Sequence, residues 1–225
     1  MHQINENLNK ALELYQNPYS HEDLISMLKN GSDVQRQISA LRLEKITSTA
    51  DAEALVSNLV GQDGKIREAV SFKLKELISP YFIPHANIFL QGIIDINGNV
   101  CRNVISAISM LKSYPEFTQY ICPRLTGMTL NVIEVLKQVQ DDVKGYKINK
   151  EIFKLYWCLE TVYEFFEYIC PLEIEKIVLA TKDIEEYTIR EKTARILTKA
   201  TSPELLKIRQ ELRDDPNYYV SRHRM

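Results

Sequence analysis

The cysteines are the residues of this sequence best suited to metal or redox chemistry, and two of them lie in a repeated tetrapeptide. Tyr-Ile-Cys-Pro occurs at residues 120–123 and again at 168–171. A zinc site needs four ligands, two of which usually lie close in sequence, and the cysteines and histidines here contain no such pair. We therefore predict no metal site. We expect the cysteines to pack in the core as small hydrophobic residues, and a redox or thiol-adduct role is the alternative. The cysteines are Cys101, Cys122, Cys158 and Cys170.

The aromatic residues are densest between residues 148 and 170, where helical spacing separates them onto two faces. One interpretation is that both faces pack inside a stack of helices. The other is that the second face is an exposed aromatic-acidic strip that binds a partner with basic residues, because aromatic anchors carry much of the energy of protein interfaces. This predicted strip consists of Phe153, Trp157, Glu160, Glu164 and Tyr168.

A basic strip follows at Lys192, Arg195 and Lys199, which share one face of a predicted helix. It is either a solvated face or a site for an acidic partner or a phosphate.

Elsewhere we find no G-x-S-x-G, HExxH or kinase motif. The adjacent acids at 185–186 and 214–215 suit helix starts and turns. We therefore predict no catalytic residue and no cofactor.

The elements that must position these residues are helical throughout. Ser20 with Asp23 has the spacing of a capping box, and Ser202 precedes a proline that suits a first helical position. Breakers recur at short intervals, and no alternating apolar run is long enough for a strand. These signals predict about a dozen short helices joined by short loops.

Four segments share a pattern in which a β-branched residue follows a polar turn and an arginine follows one or two positions later. The segment LRDDPNYYVSR repeats this opening with Val220 and Arg222. The β-branched residues of the four segments are Val34, Ile66, Val100 and Ile189, and their arginines are Arg36, Arg67, Arg102 and Arg190.

This pattern resembles the second helix of a HEAT-type repeat, and armadillo repeats are similar to it. The resemblance covers residues 20–112 and 183–222 and is weak over 113–180. It implies an all-α fold, a right-handed α-α superhelix (solenoid) of about six helix pairs. Stacking gives a physical reason, because each short pair exposes an apolar face that only its neighbours can bury.

The resemblance also implies a role for the charged residues of the repeats. The acid of each turn and the motif arginine are expected to tie neighbouring repeats together by ion pairs, with ligand binding as the alternative. The acids are Asp33, Asp63, Glu186 and Asp215, and the arginines are Arg36, Arg67, Arg102 and Arg190.

We expect one domain over residues 1–225. Residues 1–19 hold an N-terminal capping helix at 4–16, and residues 20–112 hold regular repeats. Residues 113–181 form a divergent long pair, and 182–225 hold a repeat with a truncated stub. The stub either docks through Tyr218, Tyr219 and Val220 or continues the array into another molecule.

The two Tyr-Ile-Cys-Pro copies belong to a longer internal similarity, in which residues 148–170 align with 100–122. We interpret each copy as the end of a helix. The proline then either starts the next helix or kinks the present one.

Composition limits the function classes. The net charge of −2 lacks the basic excess of a general nucleic-acid binder. We expect neither a secretory signal nor a membrane span, and hence a cytoplasmic protein. We predict a non-enzymatic module whose concave surface, lined by the second helices, binds a protein or peptide partner. The alternative is a HEAT-like enzyme of the phycobilin lyase or alkylpurine DNA glycosylase type.

Overall fold

The computed structural model describes residues 12–139 and 145–223, and all regular structure in these two ranges is helical. The predicted all-α class is therefore confirmed. The contacts divide the chain into two compact units, Met1–Ser113 and Tyr114–Met225. The sequence predicted a single domain. The division between the two units falls next to residue 112, the predicted end of the regular repeats.

Unit 1 is a series of short helices arranged in pairs. The helices are α1 (residues 12–16), α2 His21–Asn30, α3 Asp33–Arg42, α4 Thr49–Val56, α5 Gly64–Leu77, α6 Ala86–Ile93 and α7 Gly98–Ile108, with 3-10 helices at Ser57–Leu59, Pro80–His85 and Ser109–Leu111. Helix α2 pairs with α3 and α6 with α7, while α5 packs on the 3-10 helix Ser57–Leu59 that continues α4. The second helices touch in series, α3 on α5 and α5 on α7.

Local chemistry explains where these helices begin. Ser20 and Ser32 each form a capping box with the third residue of the helix that follows. The side chains of Asp63 and Asn97 accept hydrogen bonds from the first N–H groups of α5 and α7. The core between the pairs contains Phe82 and many leucine and isoleucine side chains that have almost no solvent exposure. Each such side chain contributes about 1.5–3 kcal/mol of burial energy.

Unit 2 follows the same order with two longer helices at its start. Its pairs are α8 with α9, α10 with α11 and α12 with α13, and the second helices again touch in series, α9 on α11 and α11 on α13. The helices are α8 Pro115–Gln138, α9 Tyr146–Glu164, α10 Pro171–Thr181, α11 Tyr187–Leu197, α12 Pro203–Arg213 and α13 Tyr218–Ser221, with a 3-10 helix at Phe166–Tyr168.

The two Tyr-Ile-Cys-Pro copies occupy different places in unit 2. Pro171 is the first residue of α10, directly after the N-cap Cys170. Pro123 instead lies inside α8, which continues for fifteen further residues to Gln138. The interpretation of both copies as helix ends is thus wrong for the first copy. The long apolar run of α8 packs on both sides of the proline, and this packing outweighs the local preference to stop.

Two terminal predictions are partly outside the described residues. Residues 4–11 of the predicted capping helix lie outside the described residues, while residues 12–16 are helical. In the stub, α13 contacts α11, Val220 is buried, and the partly exposed Tyr219 ring lies 6.1 Å from the ring of Tyr187 on α11. Tyr218 is exposed. None of the helices in the described ranges is both long and apolar enough to cross a membrane.

Candidate functional site

The predicted aromatic-acidic strip on α9 is divided between the core and the surface. Trp157 is only 8% exposed, and its ring meets Phe153 and Tyr156 edge-on at centroid distances of 6.3 and 5.1 Å. Phe153 and Tyr168 are 37% and 44% exposed, and Glu164 is half-buried. The five residues therefore do not form one continuous exposed face.

Glu160 of this strip is held by the basic strip of α11. Its carboxylate accepts a bond from Lys192 Nζ at 2.9 Å and two from Arg195 Nη1 at 2.8 Å. Burial alone would raise the pKa of Glu160, but the two cations lower it below its ordinary value. Burial would lower the pKa of Lys192, but its bond to Glu160 raises it overall. Both groups are therefore charged at neutral pH.

Aromatic rings extend this contact along both helices. Lys192 Nζ lies 4.4 Å from the ring centre of Tyr156, while Arg195 and Lys199 lie 4.1 and 4.2 Å from that of Tyr163. These are cation–π distances. Lys192 meets Tyr156 and Lys199 meets Tyr163, so the contacts advance in the same direction along both helices, and α9 and α11 run parallel. The basic strip thus binds Glu160 and two tyrosines of α9, and it is not a free solvated face.

Two of the motif arginines make the same contact in different units. Arg67 Nε donates to Asp95 Oδ2 at 2.6 Å, and Arg190 Nε donates to Asp215 Oδ2 at 2.6 Å. Each guanidinium also donates to a carbonyl of its own turn, Gly61 in the first case and Ile184 in the second. Each arginine therefore fastens its own turn to the turn of the next helix pair.

The other predicted ion-pairing residues make different bonds. Asp63 and Glu186 accept hydrogen bonds from the first N–H groups of α5 and α11, so they are helix caps. No ion pair joins Asp33 to any residue in the described ranges. The reason is positional: these acids lie three or four residues before the arginine and face the start of their own helix, whereas Arg67 and Arg190 reach the following turn. Arg36 donates to the Gly31 carbonyl at 2.8 Å, and Arg102 donates to Asn99 at 3.4 Å.

Asp95, the ion-pair partner of Arg67, was not predicted from the sequence, although the sequence contains a signal for it. Asp95-Ile96-Asn97 and Asp215-Pro216-Asn217 share an Asp-x-Asn pattern before the β-branched residue. In both copies the aspartate also accepts from the backbone N–H of the asparagine, at 2.8 Å, and the asparagine side chain caps the next helix. Aligning these two tripeptides would have identified the acid that meets each arginine.

A groove crosses the second helices of unit 1, and we call it the three-helix groove. It has a volume of about 490 Å³, within the range of ligand sites. Phe72 of α5 and Leu41 of α3 are 59% and 38% exposed there, so the groove offers apolar surface to solvent. It is lined by Gln37, Leu41, Lys65, Glu68, Ala69, Phe72, Asn99 and Asn103.

Polar groups border this apolar surface in a regular way. Asn99 Nδ2 donates to Glu68 Oε1 at 3.2 Å, and Asn103 Nδ2 donates to Ser71 Oγ at 3.3 Å. These bonds join α7 to α5 and direct the two amide groups along the edge of the groove. An amide side chain both donates and accepts, as a peptide bond does. One lysine and one glutamate balance the charge, so the groove favours a neutral segment.

The cysteines do not form a site of their own. Cys101, Cys122 and Cys158 are buried and Cys170 is exposed, and all four are free thiols. Burial raises the pKa of Cys101 to about 12 and that of Cys122 to about 11, so both are protonated at neutral pH. In the part of the chain that the structure describes, no three His, Cys, Asp or Glu side chains are placed to share a metal ion.

Comparison with known proteins gives no relative. The chain matches no known protein family, and a search of curated proteins found nothing similar to it.

Proposed function

We propose that this protein is a HEAT-like α-solenoid that acts as a non-enzymatic interaction module and binds an extended peptide segment of a protein partner in the three-helix groove. The right-handed superhelix is part of this proposal. Its support is the serial contact of α3, α5 and α7, which are the second helices of successive pairs.

One observation carries the proposal: Phe72 is an exposed aromatic side chain in a groove bordered by amide groups. An exposed phenylalanine that the core does not need is suited to anchor an apolar side chain of a partner. The amides of Gln37, Asn99 and Asn103 can exchange hydrogen bonds with the backbone of that partner. A neutral segment with at least one large apolar residue is the complement of this surface.

Selection from a peptide display library on the immobilised protein tests the proposal. We expect selected peptides to bind the wild-type protein and to lose at least tenfold in affinity on Phe72→Ala or Asn103→Ala. Tyr81→Ala is the matched control, because Tyr81 is also exposed in unit 1 but does not line the groove. Selected peptides that bind all three variants equally well would show that the partner site lies elsewhere.

A further inference from the structure

A second groove lies in unit 2, and both Tyr-Ile-Cys-Pro copies contribute to it. We call it the α8 groove. It has a volume of about 590 Å³ and lies between one face of α8 and the segment that starts α10. From α8 it is lined by Thr118, Gln119, Cys122, Pro123, Thr126, Gly127 and Leu130, and from the facing segment by Tyr168, Ile169, Cys170 and Glu173.

The groove extends along the helix. Its α8 residues follow a spacing of four, from Thr118 through Cys122 and Thr126 to Leu130. Twelve helical steps of 1.5 Å cover about 18 Å. A single apolar side chain of a partner would fill only part of this length, whereas an extended hydrocarbon chain would follow all of it.

The walls are mainly apolar, and besides the threonines and cysteines their polar side chains are Gln119, Tyr168 and Glu173, of which Gln119 and Tyr168 are exposed. The hydroxyl groups of Thr118 and Thr126 donate to the carbonyls of Pro115 and Cys122, at 3.1 and 3.0 Å, so they are already satisfied. Glu173 is the one lining side chain with a charge at neutral pH, and Lys176 binds it at 2.7 Å. The groove therefore suits an apolar ligand, and recognition by charge is weak.

Gly127 keeps the groove open at a cost to the helix. It lies in the interior of α8, where glycine destabilises a helix relative to alanine. A Cβ atom added there would meet no atom within 4 Å, so packing inside this chain does not require a glycine. Its φ is not positive, so the backbone does not require one either. The space over Gly127 is therefore what the glycine preserves.

We propose that the α8 groove binds the hydrocarbon chain of a lipid-like molecule, such as an acyl chain. This goes beyond the peptide-binding function and does not rest on it. Affinity comes from apolar burial, at roughly fourfold per methylene until the chain is longer than the groove. The head group extends into solvent and contributes little.

The exposed thiol of Cys170 reports on occupancy in the unaltered protein. Because the other three cysteines are buried, a thiol reagent reacts with Cys170 first. We expect 11-(dansylamino)undecanoic acid to bind with increased fluorescence and to slow this reaction at least fivefold. Dodecanoic acid and dodecanol displace the probe equally well, and octanol does so far more weakly. Displacement by the acid alone, or a thiol rate unaffected by the probe, would overturn the proposal.

A filling variant locates the site. Gly127→Leu places a side chain in open space, so the protein folds and the probe loses at least tenfold in affinity. Asn131→Leu is the matched control, because Asn131 is exposed on α8 outside the groove. Should Gly127→Leu fail to fold, wild-type protein alkylated at Cys170 with N-ethylmaleimide provides the blocked groove. Unchanged probe binding in the blocked protein refutes the site.

The outcome is separable from the peptide proposal. Phe72→Ala leaves probe binding unchanged, and Gly127→Leu leaves binding of the selected peptides unchanged. If an apolar helical peptide displaced the probe while free alkyl chains did not, the α8 groove would be a peptide site and the lipid proposal would be wrong.

Discussion

Arg190 grips Asp215 through two nitrogen atoms, Nε at 2.6 Å and Nη2 at 3.3 Å, and so joins the turn before α11 to the turn before α13. Arg67 repeats this grip on Asp95 in unit 1, at 2.6 and 3.4 Å. Both aspartate side chains are only 7% exposed, and the two-nitrogen geometry gives the strong charge-assisted hydrogen bonds of an arginine with a carboxylate.

Removing one member of this pair tests its role. We expect Arg67→Ala to lower the free energy of unfolding by about 3 kcal/mol, because Asp95 is left charged and buried. Urea denaturation followed by circular dichroism measures the change. Arg36→Ala is the control, since the one hydrogen bond that the Arg36 side chain donates within the described ranges goes to the Gly31 carbonyl, and the expected cost is about 1 kcal/mol.

The double variant Arg67→Met with Asp95→Leu separates the pair from simple packing. It removes both charges together, so we expect it to be more stable than Arg67→Ala. If the double variant were the less stable protein, the uncompensated carboxylate would not be the cause of the loss.

The contact of α9 with α11 depends on Glu160. Glu160→Ala leaves the buried Lys192 without its main carboxylate, so we expect a loss of about 2–4 kcal/mol in the free energy of unfolding. Glu134→Ala is the matched control, because Glu134 forms an exposed pair with Lys137 and should change stability by less than about 0.5 kcal/mol. Equal effects in the two variants would contradict the role of Glu160 in holding α11 against α9.

Acid stability depends on Asp51 in unit 1. Burial would raise its pKa, but hydrogen bonds from Thr47, His21 and Ser48 lower it from 3.8 to about 2. Because the pKa is lower in the folded state, this carboxylate stabilises the protein above about pH 4, by about 2 kcal/mol, and the stabilisation is lost as the pH falls towards 2.

Denaturation of Asp51→Asn across pH measures this effect. We expect the variant to be less stable than wild type at pH 7 and the difference to shrink steadily between pH 4 and pH 2. Asp33→Asn is the control for loss of a carboxylate as such, because Asp33 is exposed. A constant difference for Asp51→Asn would contradict the assigned hydrogen bonds.

Two glycines give opposite results on replacement by alanine. Gly127→Ala should raise the free energy of unfolding by about 0.5–1 kcal/mol, because the helix gains and no atom is close. Gly92→Ala should lower it by about 1–3 kcal/mol, because the new Cβ would lie 2.9 Å from Cγ2 of the buried Val104. Thermal denaturation distinguishes the two, and a stabilised Gly92→Ala protein would disprove the close packing of α6 on α7.

Much of the fold follows from local sequence. Ser20 with Asp23 predicted a capping box, and Ser202 before Pro203 predicted a helix start, and both are present. The regular recurrence of a β-branched residue followed by arginine indicated helix pairs of one kind. These features depend on residues within one turn of each other, so the order of the chain alone determines them.

The binding surfaces required the tertiary structure. Glu160 and Lys192 were each identified in the sequence as members of separate strips. Nothing in the sequence indicated that the two side chains bind one another. Tyr-Ile-Cys-Pro showed the same limit, since packing keeps Pro123 inside α8 while Pro171 begins α10. The sequence alone therefore determined the helical class and the helix starts that a local cap marks, such as those of α2 and α12. Packing between residues about 25 to 50 positions apart decided which side chains are neutralised, which are buried and which grooves stay open.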